Sequence, residues 1–392
     1  MAQKLKFGNG VWANKEGSTL AYNDENGNYK PLPFNFTRAT SATRVNKQGL
    51  IEVVRNNKPR IDYKDSTKGA LILEPSRTNL FPYSEDFTQW DTAVSTVTSN
   101  SLICPDGTQN SFTLTTLAAG GTVQDTITVA NGNVTFSVFV KKGTTNGVRL
   151  RIDADTDSNG YFDLVNNIIY SSDNDAKIEN YGNGWYRVSI SANITGFVKA
   201  SIYTTNGTTS YDNGTLNIWA AQLEQGYPTS YIRTSGSAVT RVAEQGIDGG
   251  AGTPIFSNTT AVWFLDIERV GVDVDSSGRA VALRNSSFSE QIRLHFDSPS
   301  EEIRFRNALS SFATISTITG MGANVRKKIA LRINGSALST FSQGSKIGSD
   351  YTAPSAFDIE EIDFATLGFK IHDMRFYNEA LTDAELQALT TI

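Results

Sequence analysis

The chain has 392 residues, of which 39% are hydrophobic and 10% aromatic, and its formal net charge is -5. This length predicts two or three domains, because a single hydrophobic core rarely organises so long a chain, and the aromatic content excludes extensive disorder. The one cysteine, Cys104, excludes an internal disulfide, and no apolar run approaches the ~20 residues of a spanning helix, so we expect no membrane insertion.

Charge is distributed unevenly along the chain. Residues 1–80 contain 13 Lys/Arg and 7 Asp/Glu, a net charge of +6, whereas residues 81–240 and 241–392 carry net charges of -6 and -5. A basic segment ahead of two acidic ones indicates different partners for these parts of the chain. No stripe of basic and aromatic residues accompanies the basic segment, so we expect no nucleic-acid partner.

Residues 1–80 form the first predicted segment. Residues 1–36 are rich in Gly, Asn and Asp, which predicts turns rather than packed strands. A hairpin is predicted over 44–63 and a further strand over Gly69–Pro75. Because so few strands cannot bury a core of their own, we expect this segment to dock onto a partner protein or onto identical copies of the chain.

Residues 81–240 predict an antiparallel β-sandwich of the jelly-roll type. In NVTFSVFVKKG, Val134, Phe136, Val138 and Val140 alternate with other residues, which is the pattern of a half-buried strand. Similar segments recur about every 8–12 residues with Gly/Asn/Thr turns between them, as in sandwiches and jelly rolls. The two clearest strands, within Gly182–Arg233, hold no cluster of nucleophile, base or metal ligands, which favours a binding domain over an enzyme.

Residues 241–392 predict a second sandwich, after a Gly-rich boundary over 234–253. Its strands again alternate, with Ile292, Leu294 and Phe296 as one apolar set. Near the end, Thr382 followed three residues later by Glu385 is a capping box and predicts one short helix. The predicted fold class is therefore all-β, with an N-terminal docking segment, two antiparallel β-sandwich domains and one short C-terminal helix.

Three groups of residues resemble known proteins. FTRATSATRVNKQGLIEVVRNNKPRIDY with ALILEPSRTNLFPYSEDF resembles the opening of tailed-bacteriophage head-spike and tail-fibre proteins. FSVFVKKG, GNGWYRVSI and IWAAQLEQGYPTSYIRT resemble a carbohydrate-binding-module jelly roll. The tail, from AVWFLDI to MRFYNEALTDAELQAL, is similar to the concanavalin A-like (laminin-G-like) sandwich.

This resemblance spans nearly the whole chain and implies a virion fibre or spike subunit. Such a subunit would form a homotrimer, attach to a capsid or tail protein through residues 1–80, and lie exposed on the particle surface, where its sandwiches bind a host cell-surface glycan. A purely structural capsid decoration or tail component without a glycan site is the alternative.

The segment DADTDSNGYFDL is the best metal signal in the chain. Read from Asp155, it places oxygen ligands at alternate positions, Asp155, Asp157 and Asn159, before a turn glycine, with Asp163 at the ninth position, as in a Ca²⁺ loop. The twelfth position is Asn166 rather than a bidentate Glu, and strands rather than helices flank the segment. A Ca²⁺ site and a solvated hairpin turn are both compatible with this pattern.

Residues for sugar binding are predicted from exposed aromatic rings, on which the C–H faces of sugars stack while polar side chains fix the hydroxyls. Tyr203, Tyr211 and Asp212 lie in or beside the loop TTNGTTSYDNG and are the predicted ligand-binding residues. Trp185 and Trp219 lie in the middle of predicted strands and are expected in the core.

A polysaccharide hydrolase on the last domain is a further alternative. Some concanavalin A-like sandwiches are glucanases with an E-x-D-x-x-E strand, and Glu361 and Asp363 supply its first half. Ala365 and Thr366 stand where the second Glu should be, and glycoside hydrolysis needs two carboxyl groups across the bond. We therefore expect no enzymatic activity.

Overall fold

The computed structural model describes residues 3–14, 20–23, 28–32, 34–154, 157–250, 259–271, 278–297, 302–308, 312–353, 359–365 and 367–392. In these residues the chain is almost entirely antiparallel β-structure, which confirms the predicted fold class. It folds into two compact units. The terminal unit comprises Met1–Lys47, Val54–Ser76 and Val242–Ile392, and the central unit comprises Gln48–Val53 and Arg77–Arg241.

The strands are numbered in chain order. The first nine are β1 (Gln3–Gly8), β2 (Ala13–Asn14), β3 (Leu20–Asn23), β4 (Tyr29–Leu32), β5 (Asn35–Thr37), β6 (Ala42–Val45), β7 (Ile51–Val54), β8 (Arg60–Asp62) and β9 (Ala70–Leu73). The next, together with a 3-10 helix at Phe87–Gln89, are β10 (Arg77–Asn79), β11 (Asp91–Ala93), β12 (Ser95–Thr98), β13 (Phe112–Thr116), β14 (Thr122–Thr128), β15 (Gly132–Lys142), β16 (Gly147–Asp153), β17 (Ser158–Asp163), β18 (Ile168–Ser172), β19 (Ala176–Asn180), β20 (Trp185–Ile194), β21 (Phe197–Thr205), β22 (Gly214–Gln225) and β23 (Val239–Arg241). The last are β24 (Gln245–Gly249), β25 (Thr260–Arg269), β26 (Gly278–Arg284), β27 (Gln291–Asp297), β28 (Glu302–Ala308), β29 (Phe312–Ile318), β30 (Arg326–Asn334), β31 (Ala337–Ser342), β32 (Ser345–Thr352), β33 (Glu361–Phe364), β34 (Phe369–Tyr377) and the helix α1 (Asp383–Thr390).

The central unit is a sandwich of two six-stranded sheets. The first sheet has the order β11-β14-β21-β16-β17-β18 and the second the order β12-β13-β22-β15-β20-β19. The alternating residues Val134, Phe136 and Val138 lie in the core that side chains from both sheets build, so the predicted alternation is confirmed. The strand is not half-buried as predicted, because Thr135 and Ser137 on its other face are each 1% exposed. Trp185 and Trp219 are buried, as predicted.

The terminal unit also contains two large antiparallel sheets. One has eleven strands and includes the path β1-β34-β25-β30-β31-β32, and the other has the order β29-β28-β27-β26-β33-β24-β5. The predicted capping box of α1 is present, because Thr382 Oγ1 accepts from the Glu385 N–H and the Glu385 carboxylate accepts from the Thr382 N–H. Within the described residues, no helix has the length and apolar character needed to cross a membrane.

The first 80 residues are organised differently from the predicted separate docking segment. Most of them belong to the terminal unit, where β1 and β9 both pair with β34 and β5 pairs with β24. Leu5, Phe7 and Phe36 are buried in the core of that unit. At Gly8 (φ +88°) a Cβ atom would overlap the His372 carbonyl, so only glycine allows the two strands to approach this closely. Residues 1–80, which we call the leader, therefore pack into a core that distant parts of the same chain complete.

A buried ion network joins three separate segments within the terminal unit. It consists of Arg38, Arg60, Glu74 and Glu244, each at most 1% exposed. Arg38 Nη1 lies 2.6 Å from Glu244 Oε1, and Arg60 pairs with both Glu74, at 2.8 Å, and Glu244. Buried charges are tolerated only when they are paired and hydrogen-bonded, so these residues fix how the leader lies against Glu244.

Candidate functional site

An arginine and two tyrosines form a row on the outer face of the first central sheet. Arg149 lies on β16 between Val148 and Leu150, whose side chains enter the core, so strand alternation turns Arg149 outward. Tyr161 on β17 and Tyr203 on β21 both lie opposite Arg149 in the sheet register. The row therefore crosses three neighbouring strands.

Tyr211 completes this cluster, which we call the arginine–tyrosine patch (Arg149, Tyr161, Tyr203 and Tyr211). It lies between β21 and β22 and is held there by an isolated β-bridge to Thr205. The guanidinium carbon of Arg149 is 5.4, 4.9 and 5.5 Å from the ring centroids of Tyr161, Tyr203 and Tyr211. These distances are within the ~6 Å range of cation–π attraction, so one cation holds three rings together.

Hydrogen bonds fix the orientation of the patch. Arg149 Nε and Nη2 donate to Asn159 Oδ1 at 3.0 and 2.6 Å, and Nη1 donates to the Tyr211 hydroxyl. Asn159 Nδ2 in turn donates to Asp173 Oδ2 at 2.7 Å. Arg149 is 8% exposed and each of its three guanidinium nitrogens donates a hydrogen bond, so Arg149 positions the rings rather than offering its charge to a ligand.

Tyr211 is the accessible ring of the patch. It is 39% exposed, whereas Tyr203 beneath it is 8% exposed, and the two ring centroids are 5.5 Å apart. Burial raises the pKa of the Tyr211 hydroxyl above its ordinary value of 10.0, so the phenol stays neutral near pH 7. The patch therefore presents a fixed, neutral aromatic surface that can stack with an apolar face of a ligand.

The structure brings the predicted sugar-binding residues together but corrects one of them. Tyr203 and Tyr211 are in contact, yet Tyr203 is mostly buried instead of exposed. Asp212 follows directly, and its carbonyl accepts from the Thr204 and Thr116 hydroxyls at 2.6 and 3.2 Å. Sequence reasoning missed Arg149 and Tyr161, although the alternation in GVRLRID and GYFDLV would have placed both on the outer face.

The predicted metal ligands are not gathered into one loop. Asp155 lies outside the described residues, and Asn159 and Asp163 belong to β17 rather than to a turn. Asp157 and Asp163 are separated by the length of that strand, about 20 Å at ~3.3 Å per residue, so they cannot share one ion. Each side chain has protein partners: Arg151 for Asp157, Arg149 and Asp173 for Asn159, and the Val165 and Asn166 N–H groups for Asp163. In the described part of the chain, no three His, Cys, Asp or Glu side chains are arranged to hold a metal ion, and Ca²⁺ binding at this segment stays a prediction.

The carboxylates considered for hydrolysis lie around one arginine. Glu361 and Asp363 on β33 both pair with Arg284, at 2.6 Å for Asp363 Oδ2, and Asp248 on β24 pairs with the same guanidinium at 2.5 Å. Glu361 and Asp363 are 6% and 0% exposed, and burial raises the pKa of Glu361. A third carboxylate is thus present in space, and the guanidinium of Arg284 pairs with all three.

No protein-family model and no curated protein matches the chain. Among solved structures, it is similar to the CBM40 of Ruminococcus gnavus IT-sialidase bound to alpha2,3 sialyllactose, at 12% identity and a TM-score of 0.27 over 34% of this chain and 83% of that one. A Trypanosoma rangeli sialidase in complex with sialic acid matches at 9% identity and 0.30, over 98% and 97% of the two chains. Domains LG4-5 of the mouse laminin alpha1 chain match at 10% and 0.25, over 78% and 90%. TM-scores this low do not bear on the ligand of this chain.

Proposed function

We propose that this chain is a subunit of a tailed-phage head spike or tail fibre and that its central unit binds a host cell-surface glycan. The observation that carries the glycan-binding part is the arginine–tyrosine patch, in which Arg149 holds an exposed tyrosine ring on the outer face of a sheet. The phage part rests on the resemblance of the leader and both sandwiches. The proposal includes no enzymatic activity.

The patch suits a sugar because its accessible ring is fixed before a ligand arrives. Sugars present C–H faces that stack on aromatic rings, and a ring that is already ordered loses little conformational freedom on binding. Asp212, beside Tyr211, adds a carboxylate that has no hydrogen-bond partner among the described residues, since only its backbone carbonyl is engaged. The ring would receive the sugar face, and the carboxylate would accept from its hydroxyls.

Replacing Tyr211 with Ala is expected to weaken glycan binding about fivefold, since a lost stacking contact is worth on the order of 1 kcal/mol. The ligand would first be identified on a glycan array with the full chain, and its affinity then measured by titration calorimetry. Tyr170→Ala is the matched control, because Tyr170 is 50% exposed on β18 and does not belong to the patch.

An equal loss of glycan affinity in Tyr211→Ala and Tyr170→Ala would show that the arginine–tyrosine patch is not the glycan site. Absence of any glycan signal with the intact chain would favour the alternative, a purely structural capsid decoration or tail component.

The proposed subunit is a homotrimer on the virion surface that contacts a capsid or tail protein through residues 1–80. Several weak sugar sites on one particle would act together by raising the local concentration of the second site. If the proposed trimer forms, light scattering of the purified protein should give three times the chain mass of 42.7 kDa. A mass of a single chain over the accessible concentration range would contradict the trimer.

A further inference from the structure

Other charged side chains share the outer face of the first central sheet with the arginine–tyrosine patch. The residues between them on β16 and β21 enter the core, so strand alternation turns Arg151, Asp153 and Lys199 towards the side that holds Arg149. Lys199 lies directly opposite Asp153 in the sheet register. Charged groups therefore border the rings, and their balance decides which ligand charge the patch accepts.

The two further cations on these strands are paired with carboxylates of the same face. Arg151 Nη2 lies 2.6 Å from Asp157 Oδ2, and Arg151 Nε pairs with Asp153. Lys199 Nζ lies 3.1 Å from Asp153 Oδ2. Two cations thus meet two carboxylates, so this group is neutral as a whole and a ligand anion gains no net attraction from it.

Arg149 offers no free charge either. It is 8% exposed, and each of its three guanidinium nitrogens donates within the protein, to Asn159 or to the Tyr211 hydroxyl. Asn159 in turn donates to Asp173 Oδ2 from its backbone N–H, at 2.9 Å, and from its side chain, at 2.7 Å. A carboxylate therefore lies at the end of the hydrogen-bond chain that begins at Arg149. Arginine binds a ligand carboxylate best through two parallel donors, and those donors are already engaged here.

One carboxylate of this face is left without a counter-charge. Asp163, the last residue of β17, lies in the field of Lys142, which forms a further pair of opposite charges. Asp212 follows Tyr211 directly, only its backbone carbonyl is engaged, and its carboxylate has no cation partner among the described residues. Because consecutive Cα atoms are about 3.8 Å apart, this unneutralised charge belongs to the immediate neighbour of the exposed ring.

We propose that the arginine–tyrosine patch binds a glycan unit that carries no negative charge and discriminates against sugar acids. The C–H face of the sugar stacks on Tyr211, and its hydroxyls donate to the Asp212 carboxylate, which only accepts. An acidic unit would bring a second carboxylate to Asp212 at a site that has no unpaired cation, and like charges at an interface suppress binding. This assignment rests on the glycan-binding function proposed above and specifies the ligand of that site.

The test compares glycans that differ only in charge. An array presents neutral hexoses and N-acetylhexosamines, each beside the uronic acid obtained by oxidising its terminal hydroxymethyl group, and is probed with the full chain. We expect the neutral member of each bound pair to bind about three- to tenfold more tightly, the effect of one like-charge interaction in a partly exposed site. High salt should narrow this difference by screening.

The two proposals fail in different ways on this array. An acidic member that binds as tightly as its neutral partner, or more tightly, would overturn the present inference and leave the glycan site standing. Absence of binding to every glycan would overturn the proposed glycan binding, and this inference with it.

Substitution of Asp212 separates charge from shape. Asp212→Asn keeps the size of the side chain and one acceptor oxygen but removes the charge, so the ratio of neutral to acidic affinity should fall about three- to tenfold. Asp350→Asn is the matched control, since it removes an equal charge from an exposed pair with Lys346 in the terminal unit and should leave the ratio unchanged. An unchanged ratio in Asp212→Asn, or an equal fall in Asp350→Asn, would contradict the proposal.

Discussion

Replacing Glu244 with Gln is expected to lower the free energy of unfolding of the terminal unit by about 3–5 kcal/mol, the usual cost of removing one partner from a buried ion pair. Glu244 Oε1 accepts from Arg38 Nη1 and Arg60 Nε at 2.6 and 2.8 Å, and Oε2 accepts from Arg60 Nη2 and from the Glu74 N–H. Gln has nearly the same shape but no charge, and its amide nitrogen cannot accept. Two fully buried arginines would then share the single charge of Glu74.

Amide hydrogen exchange, followed by mass spectrometry on peptides from β25, measures this loss in the terminal unit alone. Where exchange follows the opening equilibrium, 3–5 kcal/mol makes the protected amides exchange between about 150-fold and 4,000-fold faster. Asp350→Asn is the control, because it removes an equal charge from an exposed pair with Lys346, which is worth at most about 1 kcal/mol. Similar exchange in the two variants would show that the network does not hold the unit together.

The strands of the central unit could be predicted from sequence because alternation within each short segment is enough to identify them. The alternation of Val134, Phe136 and Val138 places the side chains of β15 in the core whatever strand lies beside it. The position of Tyr211 beside a loop could be predicted for the same reason, since turn residues mark loops, whereas Tyr203 lies in β21 and is 8% exposed. Alternation alone places Arg149 and Tyr161 on an outer face, but that they lie side by side depends on the register of β16 and β17, which residue types alone do not fix.

The terminal unit could not be predicted in the same way because its key pairings are distant in sequence. In β1, Gln3 lies opposite Tyr377 of β34, and the alternation of apolar and polar residues within a strand does not predict which distant strand it pairs with. The ion network could not be predicted either, because an arginine such as Arg38 is normally expected at the solvent-exposed surface and nothing in the local sequence indicates that it is buried. The metal motif was read from ligand spacing along the chain, whereas Asn159 and Asp163 are in an extended strand, so Ca²⁺ binding at this segment stays a prediction.

The remaining prediction concerns the leader itself, and its expected effect is the largest. Deleting residues 1–37 should unfold the terminal unit and leave the central unit folded. The deletion removes β1 from between β3 and β34 and β5 from the edge of the seven-stranded sheet. It also removes four large side chains that are 2–4% exposed: Leu5, Phe7, Phe34 and Phe36.

The size of this effect follows from burial. Each such side chain contributes about 1.5–3 kcal/mol, so the four together contribute about 6–12 kcal/mol, similar to the whole 5–15 kcal/mol that stabilises an ordinary folded domain. Hydrogen exchange again separates the units: peptides from β25 and β34 should lose protection, while those from β15 serve as the internal reference and keep it. A terminal unit that stays protected after the deletion would mean that residues 1–37 are a separable attachment, as the turn-rich sequence suggests, and that the C-terminal sandwich closes its core without them.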